Sequence, residues 1–352
     1  MRKLWFIITT GKCNLKCRYC GGSFPEKYVP YRVKYSIELL RSIIRPIDNV
    51  CFYGGEPLLN FEDMYNIVKS INARKFIIQT NATLIKNIPR WFWNFIDTVL
   101  VSLDGIEEIT DKYRGVGVYR KVIDSVKYLR KIGFRGEIIA RMTVTEDSDI
   151  YRDVTHLLKL NLFDKIHWQL NVVWCDRWDF ESWAYRSYIP GFRKLVEMFL
   201  QYAESGTILK IVPITGILTS ILFKPFTGVP CGAGYRSFTI NSDGRIIACP
   251  IAVREDWAIV GDVYTGVKKI VEIGEPCRSC TYFKYCGGRC LYAYFERNWG
   301  FEGFEAICDV TRRCIEYVLK ISERIRHLIN IGVVRREDIF QDGIEDSTEI
   351  IP

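Results

Sequence analysis

The run Gly11-Lys12-Cys13-Asn14-Leu15-Lys16-Cys17-Arg18-Tyr19-Cys20 sets three cysteines at C-x3-C-x2-C spacing directly behind an apolar stretch. No fourth cysteine follows until Cys51. A closed zinc site takes four ligands. Three thiolates on a four-iron cluster leave one iron without a protein ligand, able to bind and activate another molecule. The local sequence therefore asks for an open, redox-active metal site.

Short β-rich runs alternate with helix-period stretches through the first 205 residues. The apolar runs are Leu4–Thr10, Val50–Tyr53, Phe76–Thr80, Thr98–Leu103, Glu137–Val144 and Lys165–Leu170. Helical patterns fall between them, near Ser36–Ile44, Phe61–Ile71, Tyr119–Lys131 and Ile150–Leu160. This spacing predicts parallel βα units. Six of them predict an α/β fold built as a partial (β/α)6 TIM-like barrel over residues 1–205. In such folds the chemistry sits at the C-terminal ends of the strands. The polar motifs collect there: Cys13–Cys20, Gly54-Gly55-Glu56-Pro57, Thr80-Asn81, Ser102-Leu103-Asp104-Gly105, Arg141, and Gln169 with Asn171.

Residues 206–230 read as a linker with a short apolar segment, punctuated by Pro225, Gly228 and Pro230. A small cysteine-rich domain is expected over 231–314, and a C-terminal helix with a charged, loose tail over 315–352. The cysteine-rich part runs Cys231-x12-Gly244-x4-Cys249, then Cys277-x2-Cys280-x5-Cys286-x3-Cys290, then Cys308. The Cys277/Cys280 pair alone fits a zinc ribbon, but seven cysteines exceed one zinc and sit awkwardly on two.

No stretch is long and apolar enough for a membrane span. The apolar run after Met1-Arg2-Lys3 is too short for a signal peptide. Both point to a cytoplasmic protein, where thirteen cysteines imply metal binding more than disulfides. Abundant Ile, Arg, Lys and Tyr with only four Met give a thermophile-like composition. The formal charge of +8 is lowered by cluster-bound thiolates, and the basic residues are spread out, so no nucleic-acid partner is implied. His156, His167 and His327 show no metal-ligand spacing. Trp168, Trp174, Trp178 and Trp183 gather near the sixth strand, as core packing or as an aromatic wall for a peptide.

Cys13-x3-Cys17-x2-Cys20 with Tyr19, followed by Gly54-Gly55-Glu56-Pro57, resembles the radical S-adenosylmethionine (SAM) superfamily over residues 4–205. The resemblance implies a 4Fe–4S cluster on Cys13, Cys17 and Cys20, with SAM chelating the free iron. Gly54, Gly55 and Glu56, with Pro57, would hold the methionine ammonium, Tyr19 would lie by the adenine, and Thr80, Asn81 and Ser102 near the ribose or carboxylate. Arg114, in Asp111-Lys112-Tyr113-Arg114, resembles the family's carboxylate-binding arginine. Glu56 either receives the ammonium or braces a turn.

The back half is similar to the SPASM domain, which carries auxiliary iron–sulfur clusters. By that resemblance Cys277, Cys280, Cys286 and Cys308 hold one cluster, and Cys231, Cys249 and Cys290 another, giving three 4Fe–4S clusters in all. The three-cysteine set either keeps an open iron or is completed by Cys314 or Cys175. The implied activity is reductive cleavage of SAM to a 5′-deoxyadenosyl radical that abstracts hydrogen from a peptide or small protein. A one-electron reductant of ferredoxin or flavodoxin type is implied with it. The alternative is a small-molecule substrate in cofactor or haem-related metabolism; a non-catalytic electron carrier would need no SAM pocket. Sulfatase maturases, which resemble this chain, place an Asp directly after the cysteine of the Gly-x4-Cys unit, where Pro250 stands here. Asp104 is then either an alternative proton acceptor on the barrel rim or a residue that only orders its loop. With no room before Cys13 for a peptide-recognition domain, a leader peptide is expected to dock on the barrel, the SPASM region or a separate partner.

Overall fold

The computed structural model describes residues 1–352. The expected strands form close to their predicted ends: β1 (Leu4–Thr10), β2 (Asn49–Gly54), β3 (Lys75–Thr80), β4 (Thr98–Ser102), β5 (Glu137–Val144) and β6 (Lys165–Leu170). Strands β1 to β5 pair in parallel in chain order. Every residue of β1 is buried, as a strand covered on both faces requires. Four further strands, β7 (Ser237–Ile240), β8 (Arg245–Ile247), β9 (Ile259–Asp262) and β10 (Gly266–Val267), extend the sheet to the order β10-β9-β8-β7-β1-β2-β3-β4-β5-β6. Strand β7 runs parallel to β1, with Leu4 opposite Ser237, and β7 to β10 fold back on one another antiparallel.

Two compact units result. The first comprises Met1–Arg141, Cys231–Glu272 and Ile344–Ser347; the second comprises Met142–Pro230, Ile273–Gly343 and Thr348–Pro352. The boundaries differ from those expected at 205, 230 and 314. Residues 231–272 go with the first strands because β7 completes the free edge of β1.

In the first unit, Leu4 and Phe6 of β1, Cys51 of β2, Ile77 of β3, Leu100 of β4 and Ile139 of β5 form one apolar layer, closed by Ile344. The period of two along each strand carries the same face up to Tyr53, Gln79, Ser102 and Arg141 near the C-terminal strand ends. Helix Val118–Lys131 buries Val118, Val122, Ile123, Val126 and Leu129, the stripe expected of an amphipathic helix on a sheet.

The second unit is organised by helix Gly300–Asn330, which starts well before the expected 315. It buries Phe304, Ile307, Val310, Cys314, Val318, Ile321, Ile325 and Leu328 at three- and four-residue steps. The expected linker is corrected here. Its apolar segment is helix Val212–Leu222, which carries no charged residue and is buried nearly all round. The loose tail is also corrected: Ile339, Ile344, Thr348, Ile350 and Ile351 are all buried. Charge thins out beyond Glu349, and the backbone is held, with Asn49 Nδ2 donating to Ile344 O at 2.7 Å in the first unit and Gln169 Nε2 to Ile351 O at 3.2 Å in the second. Gly216 makes room for Ile350, whose Cγ2 lies 2.0 Å from where a Cβ would stand.

Candidate active site

The three-cysteine loop leaves the C-terminal end of β1, with Cys17 buried, Cys13 half-buried and Cys20 exposed. Its shape comes from backbone bonds: Gly21 N donates to Cys17 O at 2.8 Å, and Arg18 N to Tyr113 O at 2.9 Å. Cys13 N donates to Ser23 Oγ at 2.9 Å. Most of these bonds bypass the thiols, and Leu15 N adds a long contact to Cys13 Sγ at 3.5 Å. A hydrogen bond between Cys17 and Cys20 raises Cys17 and lowers Cys20 to about 6, while burial raises Cys13.

Gly54-Gly55-Glu56 is laced to the chain just ahead of Cys13. Gly55 N donates to Thr10 O at 3.1 Å and Glu56 N to Lys12 O at 2.7 Å. Gly54 has φ 141°, a conformation open to glycine, and a Cβ there would stand 2.3 Å from Thr10 O. At Gly55 a Cβ would lie 2.2 Å from Lys12 O, a backbone atom that cannot swing aside. Gly55→Ala is expected to part the two loops and destabilise the protein by about 2 kcal/mol. An unchanged urea midpoint in that variant would contradict the close approach.

Glu56 braces the turn. Its carboxylate, fully buried, accepts from Leu58 N at 3.0 Å, Thr80 Oγ1 at 2.7 Å and Asn81 N at 2.7 Å. Thr80 and Asn81, expected by the ribose, therefore turn these groups toward Glu56. The Asn81 amide also donates to Asn14 Oδ1 at 2.9 Å and stands 3.9 Å from Cys13 Sγ. Pro57 opens the short turn Pro57–Asn60. Burial outweighs the three donors and raises Glu56 from 4.5 to about 7. A raised folded value favours the folded state fully below the unfolded pKa, and the contribution is lost as pH climbs through about 7. Measured against Glu56→Gln, the natural protein should lose roughly 3 kcal/mol of stability over that climb. A pH-independent difference between the two in urea would refute the assignment.

Arg114 and Asp104 meet in one buried ion pair. Arg114 Nε donates to Asp104 Oδ2 at 2.7 Å and Nη2 to Oδ1 at 2.8 Å, the bidentate fork of a strong pair. Tyr19 OH donates to Asp104 Oδ2 at 2.8 Å. The Arg114 guanidinium lies 5.3 Å over the Tyr19 ring, which stacks on Tyr113 at 5.9 Å. Burial opposes the Arg114 charge, but Asp104 and the Tyr19 hydroxyl hold its pKa above the ordinary value. The expected carboxylate-binding arginine and the expected proton acceptor thus satisfy each other. Asp104 is committed to Arg114 and Tyr19 rather than standing as an isolated carboxylate. Ser102 ends β4 half-buried, opposite Arg141 of β5.

In the second unit, Cys277, Cys280, Cys286, Cys290 and Cys308 line one cavity together with Arg289. Burial, then the neighbouring cysteines, raises Cys277 to about 12; burial raises Cys308 to about 11 and Cys286 above its usual value. Such thiols ionise only for a cation that binds them. No three Cys, His, Asp or Glu side chains of the protein converge as they would around a single metal ion. A cuboidal cluster asks each thiolate for a different iron, which cysteines gathered around one cavity fit. Cys231 and Cys249 belong to the first unit, where Gly234 N bridges their segments by donating to Ala248 O at 2.9 Å. Cys290 belongs to the second.

Neither Cys175 nor Cys314 lines the five-cysteine cavity. Cys175 Sγ lies 3.2 Å from Asn171 O, and burial raises it to about 11. Cys314 is buried beside Tyr188 and lines a separate apolar cavity with Leu170 and Phe192. Trp168 is fully buried, its Nε1 donating to Tyr188 OH at 2.9 Å. Trp183 and Trp178 pack edge-on to each other, and Trp174, 37% exposed, stands edge-on to Tyr292. Sequence reasoning missed Arg289. The signal was there: a long cation flanked by Cys286-Gly287-Gly288 and Cys290.

Residues 7–157 match the model of the Radical SAM superfamily. A cysteine-type anaerobic sulfatase-maturating enzyme of Clostridium perfringens is 23% identical over 324 residues, covering 79% of this chain and 85% of that enzyme. A pre-heme d1 synthase of Dinoroseobacter shibae is 29% identical over 161 residues, covering 43% of this chain and 38% of that enzyme. The solved structure of native anSMEcpe with bound AdoMet and Cp18Cys peptide aligns with a TM-score of 0.72 at 20% identity, covering 94% of this chain and 99% of that one. That likeness is one of fold.

Proposed function

We propose, on the match of residues 7–157 to the Radical SAM superfamily model, that the chain is a SAM-cleaving enzyme that oxidises or crosslinks a peptide or small protein. A 4Fe–4S cluster held in that region would supply the one-electron reduction that cleaves SAM, and with it the means to take hydrogen from a substrate. Cys13, Cys17 and Cys20 are the ligands of that cluster. Gly54, Gly55 and Glu56 offer their backbone to the methionine ammonium, with Pro57 fixing the turn. Ser102, Thr80 and Asn81 border the rest of the cofactor. Tyr19 lies beside its adenine, locked there by Asp104 and Arg114. Cys277, Cys280, Cys286 and Cys308 would hold an auxiliary cluster, and Cys231 and Cys249 of the first unit would be ligands of another. A small ferredoxin- or flavodoxin-type protein is the reductant. No helix is long and apolar enough to cross a membrane, and the free thiols suit the reducing cytoplasm.

One observation carries the peptide reading. Similarity to the sulfatase-maturating enzyme runs over 79% of the chain, whereas similarity to the haem-pathway synthase covers 43%. Pro250 argues for a different bond from the one sulfatase maturases make, because it removes the acid that follows the Gly-x4-Cys cysteine in them. The test uses anaerobically reconstituted protein, SAM, dithionite and short peptides encoded beside its gene. Loss of a pair of hydrogens from a peptide by mass spectrometry supports the reading. Deoxyadenosine release with every such peptide unchanged would instead favour a small-molecule substrate.

A further inference from the structure

Arg289 is 8% exposed and lines the five-cysteine cavity. Its Nη2 is buried without a hydrogen-bond partner. No carboxylate stands within ion-pairing distance of it, whereas Arg312, on the same cavity, pairs with Glu305 at 3.6 Å. A guanidinium stays charged in a protein. Burying a charge without a counter-charge is expensive, several kcal/mol in general, so this position calls for an anion in the cavity.

The backbone is bent to put the side chain there. Gly287, Gly288 and Arg289 have φ 61°, 81° and 59° in succession, and Arg289 N donates to Cys286 O at 2.9 Å. The first two are glycines, for which left-handed backbone is easy; Arg289 is not, and holding it there costs about 1 kcal/mol. Strain of this kind persists where the surroundings fix it and often marks a functional site.

We propose that Arg289 donates a hydrogen bond to the sulfur of the auxiliary cluster held by Cys277, Cys280, Cys286 and Cys308, and so raises that cluster's reduction potential. The inference rests on the auxiliary-cluster reading above. A cluster on four thiolates is an anion and gains one more negative charge on reduction. A fixed buried cation therefore stabilises the reduced form more than the oxidised one. Hydrogen bonds to cluster sulfur and local charge are among the terms that set such potentials. Arg289 is a positioning residue, and its effect is on electron affinity rather than on cluster binding.

The experiment is a redox titration of the reconstituted full-length protein followed by electron paramagnetic resonance, with iron counted in each sample. Cys280→Ala identifies the signal belonging to this cavity. In Arg289→Gln the iron content is expected to hold while that signal's midpoint becomes more negative by about 59 mV, a tenfold change for one electron. Arg289→Lys keeps the charge and loses the planar fork, so its midpoint is expected to fall between the two. Full iron with an unmoved midpoint in Arg289→Gln overturns the proposal. If Arg289→Gln fails to take up iron, Arg289→Lys carries the test, and an unmoved midpoint there overturns it equally. Failure of the cluster reading itself looks different: Cys280→Ala would then keep all its iron and every signal.

Discussion

Replacing Cys13, Cys17 and Cys20 together by alanine is expected to lower SAM cleavage at least a thousandfold, about 4 kcal/mol in the barrier, while leaving the fold in place. The activity loss follows from removing every protein ligand of the SAM-binding cluster. Survival of the fold follows from how the loop is held. Its bonds run through backbone atoms and Ser23, with Gly21 N on Cys17 O and Arg18 N on Tyr113 O. Cys20 is exposed and Cys13 half-buried, so only the truncation of Cys17 removes a buried sulfur. The check is paired: deoxyadenosine by chromatography and the thermal midpoint by circular dichroism. Iron should fall by about four per chain. Residual cleavage near the natural rate would show that these cysteines are not the ligands.

Breaking the Arg114–Asp104 pair should be the most damaging single change to stability. Arg114 is 7% exposed and Asp104 not at all. Removing one partner leaves a buried charge uncompensated, so Arg114→Met or Asp104→Leu should each cost about 3–5 kcal/mol in urea denaturation. The double variant should recover most of that loss, because two apolar side chains leave no orphaned charge. Asp104 also accepts from Tyr19 OH at 2.8 Å, so the single variants should loosen the ring beside the cysteine loop and weaken SAM binding as well. Additive losses in the double variant, or an Asp104→Leu protein as stable as the natural one, would contradict the clamp. They would return Asp104 to the role of a free proton acceptor.

Much of the fold was legible because local pattern decides it. Strands Leu4–Thr10, Glu137–Val144 and Lys165–Leu170 and helix Ile150–Leu160 form at the predicted ends, since each carries its own periodicity and boundary residues. The Ser36–Ile44 segment has the helical pattern but yields only the short turns Ile37–Leu39 and Leu40–Ile43, with Arg45-Pro46 beyond. Long-range pairings were not legible. Nothing local to Ser237 says that it will lie beside Leu4, and that pairing moves residues 231–272 into the first unit. Likewise the burial of Ile350 depends on Gly216, far off in sequence.

The site divides the same way. Cysteine spacing and the Gly-Gly-Glu-Pro run could be read directly, because a loop motif fixes its own geometry. Glu56 left two readings open, and the donors that choose the brace come from Leu58, Thr80 and Asn81. Asp104 reads in the sequence as either a proton acceptor or a loop brace and Arg114 as a carboxylate binder; their pairing is not legible there, because the fork that joins them needs helix Glu107–Arg114 in place.

The account's central claim is that the three-cysteine loop and the glycine turn together bind and cleave SAM. Anaerobically reconstituted protein incubated with SAM and dithionite tests it most directly, with 5′-deoxyadenosine and methionine quantified by liquid chromatography and mass spectrometry. The account predicts both products in equal amounts, absent from the variant lacking Cys13, Cys17 and Cys20. Intact SAM after incubation with protein that holds its full complement of iron would contradict it.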